Sequence, residues 1–456
     1  VTKASLPDLD ADPGKAGRRV EKRLVEPFTG TDKDLTTGSK AQLLLNADEQ
    51  VVTASRAAAI PAVAGHRSDW GIVKHLLVTN DYPPKVGGIQ SYLWELWRRL
   101  DPADVTVLTT PYDGADAFDA TAPHRIDRTR EPVLIPNPML VGKIEALARE
   151  VDARLLVLDP ALPLSLLGPL VSRRLGIPWV IVVHGAEITV PGRMPLTKAV
   201  LGRVLRSSDG IIAAGGYPLA ESERAAGRAL PNVVIPPGVD TSDITPLRRV
   251  ERVAVRKRLG IAPETTLVFG LSRLVPRKGF DTLIEAAHVL ARRGDDVAVA
   301  IAGDGRDRKR LERLAADGPG NVRLLGRVTD AERAEYYGAA DLFAMLCRDR
   351  WGGLEQEGFG IVFLEAAAAG VPSLAGRSGG SHEAVEHGET GLVVDTPDDA
   401  EAVADAVGSL VADPDLLAET GRVARERAER VFDYDVLAAD LAAALERFGG
   451  VTEPAR

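Results

Sequence analysis

The segment Glu357-Gly-Phe-Gly-Ile-Val-Phe-Leu-Glu365 places two carboxylates eight positions apart around a glycine-containing turn that opens a helix. An ionised carboxylate accepts several hydrogen bonds and can hold a polyol such as a sugar or a ribose. Free backbone N–H groups at a helix start attract anions and electron-rich oxygens. One short stretch thus offers both kinds of group that a nucleotide sugar needs. Two glutamates at this spacing also arise by chance in acidic chains, so the weight of the pair depends on its surroundings.

Four other segments carry groups of matching chemistry. Leu271-Ser-Arg-Leu-Val-Pro-Arg-Lys-Gly279 puts Arg273 and Lys278 on one loop, where a guanidinium fork and an ammonium can neutralise a diphosphate without a metal. Arg277 is a third charge there, and a plain solvated loop reads the same way. In Lys85-Val-Gly-Gly-Ile89, Gly87 and Gly88 let backbone amides approach a phosphate, or simply make a helix-entry turn. The stretch is not the G-x-G-x-x-G fingerprint, and no acid follows at about 20 residues for an adenosine ribose. Gly303, in Ile301-Ala-Gly-Asp-Gly-Arg306, permits another close backbone approach, while Asp304 equally suits a helix cap. His184 ends the run Trp179–Val183, placed either to contact a sugar hydroxyl or to serve a structural role. There is no D-x-D pair, His/Cys cluster or H-E-x-x-H for a metal, and no G-x-S-x-G elbow. Phosphate neutralisation then falls to Arg273, Lys278 and backbone amides.

The elements that must position these residues alternate. Apolar runs at 74–79, 105–108, 155–158, 179–183, 211–213 and 233–235 predict strands, and Ile89, Leu93, Leu96, Trp97 and Leu100 fall at helical spacing. Ile235-Pro-Pro-Gly-Val-Asp breaks the pattern, and a second set of strands follows at 267–271, 297–301, 322–325, 342–346 and 392–394. Strands alternating with helices imply parallel sheets covered on both faces, with ligands outside the carboxyl ends of the strands. The fold class is therefore α/β, with two doubly wound Rossmann-like domains facing a cleft. The boundaries are a flexible N-terminal extension over 1–70, a first domain over 71–243, a second over 244–431, and a tail over 450–456.

Composition restricts the function classes. A chain of 456 residues exceeds one ordinary core. Its net charge of −9 argues against nucleic-acid binding, and most of that charge falls after residue 243. No run approaches the roughly 18 apolar residues of a spanning helix. The single Cys347 excludes a disulfide framework and fits a reducing compartment, and no secretory pattern opens the chain.

The ordered set Asp81-Tyr-Pro-Pro…Gly87-Gly88, His184-Gly185, Ser272-Arg273…Lys278-Gly279, Gly303-Asp-Gly305 and Glu357-x₇-Glu365 resembles the retaining family 4 glycosyltransferases of the GT-B fold, over about residues 73–448. The resemblance implies that Arg273 and Lys278 bind the donor diphosphate, aided by Gly88. Glu365 would hold the ribose, while Glu357 and the amides of Phe359, Gly360, Ile361 and Val362 would hold the transferred sugar. His184 would meet that sugar, and the base would lie near Val328. It implies catalysis by His184, Arg273, Lys278 and Glu357 with no metal or other cofactor, and a C-terminal helix, 432–449, that crosses back to complete the first domain.

Leu346-Cys-Arg-Asp-Arg-Trp-Gly-Gly and Val78-Thr-Asn-Asp-Tyr-Pro-Pro-Lys-Val-Gly-Gly are most similar to the actinobacterial GDP-mannose-dependent phosphatidylinositol mannoside mannosyltransferases. That resemblance implies GDP-mannose as donor, an inositol phospholipid as acceptor, and a cytoplasmic place on the inner face of the cell membrane. Lys198, Arg203 and Arg206 group on one side of a helix over 195–207 opposite Val200, Leu201, Val204 and Leu205. With Arg173, Arg174, Arg98 and Arg99 they are candidates for a lipid-contacting face; a core-packed helix with a solvated basic side is the competing reading. The alternatives in function are a relative using UDP-glucose or UDP-N-acetylglucosamine with a soluble acceptor, or a nucleotide-binding module without catalysis. The missing fingerprint argues against an NAD-dependent dehydrogenase.

Overall fold

The computed structural model describes residues 73–450; the expected extension and most of the expected tail lie outside the described residues. Thirteen strands, all parallel, form two sheets among them. The first sheet runs β3(Arg125–Arg128)-β2(Val105–Thr109)-β1(His75–Thr79)-β4(Leu155–Asp159)-β5(Trp179–Val183)-β6(Gly210–Ala213)-β7(Asn232–Val234). The second runs β10(Val322–Gly326)-β9(Val297–Ala302)-β8(Thr266–Leu271)-β11(Leu342–Met345)-β12(Ser373–Gly376)-β13(Gly391–Val394). Each sheet reverses its order beside its first strand, between β1 and β4 and between β8 and β11. Those switch points open crevices at the carboxyl ends.

Every residue of β1, β2, β4 and β5 is buried, as central parallel strands covered on both faces must be. Side chains alternate between the faces. Leu76, Val78, Leu156 and Leu158 meet Ile144, Val171, Leu201 and Leu205 from helices Pro138–Glu150, Gly168–Leu175 and Pro195–Ser207. On the other face Leu77, Val105, Val157 and Val180 meet Leu93 and Leu96 of helix Gly88–Trp97, and Leu437 and Leu441 of helix Tyr434–Gly449. The C-terminal helix thus packs on the first sheet.

The chain crosses between the domains twice, and the crossings lie side by side. Val239 N donates to the Phe432 carbonyl at 2.9 Å and Tyr434 N to the Val239 carbonyl at 3.2 Å. Gly238 is required there, since a Cβ would lie 2.7 Å from that Phe432 oxygen. Arg99 fastens both crossings to helix Gly88–Trp97, through Asp240 at 2.7 Å and Asp435 at 2.7 Å. No helix among the described residues is long and apolar enough to cross a membrane.

Candidate functional site

Two adjoining cavities lie between the sheets, and the loops after β1, β5, β8, β9 and β11 build their walls. One, of about 440 Å³, is lined by His184, Tyr92, Tyr217, Glu357 and the turn Gly358–Val362. The other, of about 670 Å³, is lined by Glu365, Arg333, Gly303, Asp304 and Tyr434. Gly88, Arg273, Arg277, Lys278, Ile361 and Val362 line both. The three cations therefore stand at the junction of the two cavities.

The loop after β8 owes its path to close backbone contacts. Gly279 adopts φ 67°, and a Cβ on it would fall 1.9 Å from the Leu346 carbonyl oxygen. Gly303, at φ 126°, sits 2.7 Å from Gly326 through its amide, and a Cβ would reach the Ser272 oxygen at 1.9 Å. Larger residues at either position would displace the loops that carry Arg273 and Lys278.

Glu357 and Lys278 are both buried. Lys278 Nζ and Arg277 Nη1 each donate to the same Glu357 oxygen at 2.5 Å. Burial pushes the Glu357 carboxyl up, but the charges of Lys278 and Arg277 outweigh it and hold it at about 2. Burial and the neighbouring Glu357 charge push the Cys347 thiol up, so it stays a neutral donor to that carboxylate at 3.5 Å. Arg273 is exposed to the cleft and makes no ion pair among the described residues. Arg277 and Lys278 are thus neutralised by Glu357, and Arg273 has no such partner among the described residues. Arg277, the third charge of the loop, is as closely engaged as Lys278.

Glu365 is buried at the end of the second cavity, bonded to Arg333 and, at 2.7 Å, to the Tyr337 hydroxyl. Burial dominates and holds its carboxyl above the ordinary range, with Arg333 and Tyr337 offsetting only part of the effect. Neither partner is evident in the motif itself. Arg333 and Tyr337 sit four apart on helix Asp330–Ala339, so one face of that helix was the available signal.

His184 directly follows β5, beside Asp159, which ends the neighbouring β4. Its Nε2 lies 2.8 Å from Asp159 Oδ1, and Thr79 Oγ1 donates to the other carboxylate oxygen at 2.6 Å. The ring packs edge-on against Tyr92 at 5.2 Å. Burial disfavours the charged imidazole, but Asp159 outweighs it and holds the ring above its ordinary range. Asp159 was missed from the sequence, although two polar residues closing adjacent strands mark a shared crevice. With Nε2 on Asp159, Nδ1 is the nitrogen left for a ligand.

Of the remaining expected site residues, Gly88, Phe359, Gly360, Ile361 and Val362 line the first cavity. The amides of Ile361 and Val362 open helix Ile361–Ala368, where no intrahelical acceptor exists. Gly87 lines neither cavity; a Cβ there would meet the Gln90 side chain at 2.3 Å, so its place is structural. Val328 also lines neither and packs on the second-domain core.

The expected basic face does not form as one surface. Leu201, Val204 and Leu205 are buried against the first sheet, leaving only Val200 exposed on the apolar side of that helix. Arg98 and Arg99 stand on the opposite face of the sheet, committed to Glu95, Asp240 and Asp435. Arg206 bonds the Ala226 carbonyl at 2.7 Å and Arg174 pairs with Glu145 at 3.1 Å, while Arg173 is exposed. The helical period separates polar from apolar sides but does not say which side meets the sheet.

Residues 86–243 match the family Glycosyltransferase Family 4, and residues 251–427 match Glycosyl transferases group 1. Over 376 residues the chain is 40% identical to a Mycobacterium tuberculosis protein named GDP-mannose-dependent alpha-(1-6)-phosphatidylinositol monomannoside mannosyltransferase, covering 80% of this chain and 96% of that one. A Corynebacterium glutamicum protein, named as acting on a monoacylated form of that acceptor, is 35% identical over 367 residues, 80% of this chain and 95% of its own. Among solved structures, Anabaena HepE in complex with UDP aligns with a TM-score of 0.69 at 23% identity, over 82% of this chain and all of that one. A Rickettsia africae glycosyltransferase gives 0.70 at 16%, over 83% and 100%. These two likenesses carry the fold, GT-B, and the sequence relatives carry the family. The chain belongs to glycosyltransferase family 4 and is a glycosyltransferase.

Proposed function

We propose that the protein transfers mannose from GDP-mannose, with retention, to a mannosylated phosphatidylinositol. The observation that carries the reading is the cation junction: Arg273, Arg277 and Lys278 border both cavities, one with a buried carboxylate suited to ribose hydroxyls and one with groups suited to a sugar. The curated relatives supply the choice of mannose, of guanine nucleotide and of lipid acceptor.

In this reading the donor lies with its ribose on Glu365, its diphosphate among the three cations and the amide of Gly88, and its mannose between Glu357 and His184. Fixing those parts turns the encounter with the acceptor into a nearly unimolecular event. The cations and the helix amides stabilise the charge that develops on the departing diphosphate. Front-face attack follows, with the leaving phosphate oxygen taking the acceptor proton and no covalent intermediate on the enzyme. The reading needs no metal, because three cationic side chains already face the diphosphate position. The His184 imidazole, held by Asp159, presents Nδ1 to a mannose hydroxyl. The acceptor places the reaction at the cytoplasmic face of the membrane.

A matrix of GDP-mannose, UDP-glucose and UDP-N-acetylglucosamine against phosphatidylinositol mannoside and soluble acceptors tests the proposal. GDP release should require both GDP-mannose and the inositol lipid. Turnover of a UDP sugar, or equal turnover of a soluble acceptor lacking inositol, would overturn it.

A further inference from the structure

At the mouth of the sugar-side cavity both domains expose apolar side chains. The first contributes Val190, Met194 and Leu196, the last 80% exposed, around the turn between helices Ala186–Arg193 and Pro195–Ser207. The second contributes Trp351, 65% exposed, and Leu354. The two segments adjoin. Arg193 Nη1 donates to the Gly352 carbonyl at 2.8 Å, and Leu354 lines the same cavity as His184 and Glu357.

The conformation of the second segment is unusual. Trp351, Gly352 and Gly353 stand in the left-handed region at φ 50°, 62° and 81°. Glycine adopts it freely, whereas an L-residue with a bulky side chain is strained there. The strain gains the fold no burial: the indole stacks only under the Arg350 guanidinium, 5.0 Å from its ring centroid, and otherwise faces outward. A strained backbone that displays a tryptophan beside a cleft points to a binding role rather than a packing one.

Charge narrows the partner. Lys198, in the first turn of helix Pro195–Ser207, and Arg203, further along it, make no ion pair among the described residues. The carboxylates of the tryptophan loop already have partners, Asp349 in Ser378 at 2.7 Å and Glu355 in Arg350 at 3.0 Å. An apolar rim with an indole at its edge and unpaired cations beside it matches the boundary between the headgroups and acyl chains of an anionic bilayer.

We propose that this rim is the membrane-contacting surface. Trp351, Met194 and Leu196 enter the interface of an anionic phospholipid bilayer, while Lys198 and Arg203 face lipid phosphates, so the sugar-side cavity opens onto the membrane. The assignment rests on the lipid-acceptor reading for its purpose and on the rim itself for its geometry. It differs from a lipid-facing amphipathic helix, because helix Pro195–Ser207 keeps its apolar side in the core and contributes its first turn and its cations.

The test uses the full chain with vesicles of phosphatidylcholine and phosphatidylinositol. Wild type should sediment with them, and its tryptophan emission should shift to the blue. The triple variant Trp351→Ser, Met194→Ser, Leu196→Ser should bind at least about tenfold more weakly and lose the shift. Unchanged far-ultraviolet circular dichroism and unchanged turnover of a deacylated, water-soluble inositol mannoside would show the variant folded and its cleft intact. Vesicle binding by the variant within about twofold of wild type overturns the rim. So does absence of wild-type binding, the result a protein-docking surface would give. If binding behaves as expected but no inositol acceptor is mannosylated, the acceptor reading fails and the rim stands.

Discussion

Replacing Glu357 by glutamine removes the anion that Lys278 and Arg277 share, leaving Arg277 only the longer pairing with Glu355 at 3.9 Å. The carboxylate lies 2.5 Å from both Lys278 and Arg277 and is held at about 2, against an ordinary 4.5. That displacement corresponds to about 3 kcal/mol favouring the ionised form in the folded protein. Because the carboxyl is depressed, the contribution is complete above its ordinary range and is lost as pH falls from there toward about 2. Removing one partner of a buried pair typically costs about 3–5 kcal/mol, and Arg277, which keeps some exposure, can relax toward solvent. The lower end of that range, about 3 kcal/mol, is expected for Glu357→Gln at pH 7.

Ligand binding should move the other way. A donor diphosphate competes with Glu357 for Lys278 and Arg277, and the glutamine variant lacks that competitor. GDP should therefore bind the variant at least as tightly as wild type, and its stabilising effect should be larger. Mannose transfer should still fall by about 100-fold or more, because the amide cannot replace a carboxylate at the sugar. Urea unfolding across pH, calorimetry with GDP and a transfer assay measure the three effects. Wild-type and variant stabilities should converge in acid, where the carboxyl is protonated. A stability change below about 0.5 kcal/mol at pH 7, or GDP binding weakened about tenfold, would refute the charge-balance argument.

Glu365→Gln should weaken GDP binding by about 1.5–3 kcal/mol and abolish discrimination against a dideoxyribose analogue in calorimetry, since the loss is a charge-assisted bond to ribose hydroxyls. Asp159→Asn should lower the His184 pKa. The His184–Asp159 pair contributes stability fully below the ordinary imidazole range and loses it as pH rises through the raised folded value, so an NMR titration should show the imidazole signal moving to lower pH. An unchanged titration would show that another group holds the ring. Gly303→Ala should cost about 1–3 kcal/mol in denaturant unfolding and raise the donor KM, because φ 126° and the Ser272 oxygen at 1.9 Å leave no room for a Cβ.

Most strands were legible because a central parallel strand must be apolar along its whole length, as Leu76–Val78 and Val180–Val183 are. Two strands escaped for opposite reasons. β3, Arg-Ile-Asp-Arg, lies at the sheet edge with three charged residues held in ion pairs, while β12, Ser-Leu-Ala-Gly, is buried but has neither β-branched nor aromatic residues. The loop residues Arg273, Lys278, Gly303 and Glu357 were readable because glycines and charges cluster where strands end. Their partners were not, since Asp159 meets His184 across 25 positions and Arg333 meets Glu365 across 32. Sequence marks which groups stand at a crevice; only the order of the strands decides which face each other.

That facing depends on how firmly the domains are held together. Gly185 and Gly358 face each other across the gap, where a Cβ on Gly185 would lie in ordinary contact, 4.0 Å, with Gly358 Cα, so the His184 and Glu357 loops adjoin. The polar links across this gap are few. Glu383 accepts from the Gly216 and Tyr217 amides at 2.7 Å each, Tyr217 bonds Gln356, and Arg193 bonds the Gly352 carbonyl. At about 0.5–1.5 kcal/mol for a neutral bond and somewhat more for a charged one, they total only several kcal/mol. A donor present at 100 times its dissociation constant contributes about 2.7 kcal/mol, the same order. Closure is thus within reach of ligand control, and Glu383→Ala should raise the radius of gyration of the unliganded protein in small-angle scattering. Since Arg193 and Gly352 also join the two halves of the apolar rim, opening the cleft would separate Trp351 from Leu196. Membrane contact and domain closure would then be coupled: the variant with a loosened Glu383 link should bind vesicles more weakly in the absence of GDP than in its presence. Equal binding in both states would show that the rim does not depend on closure.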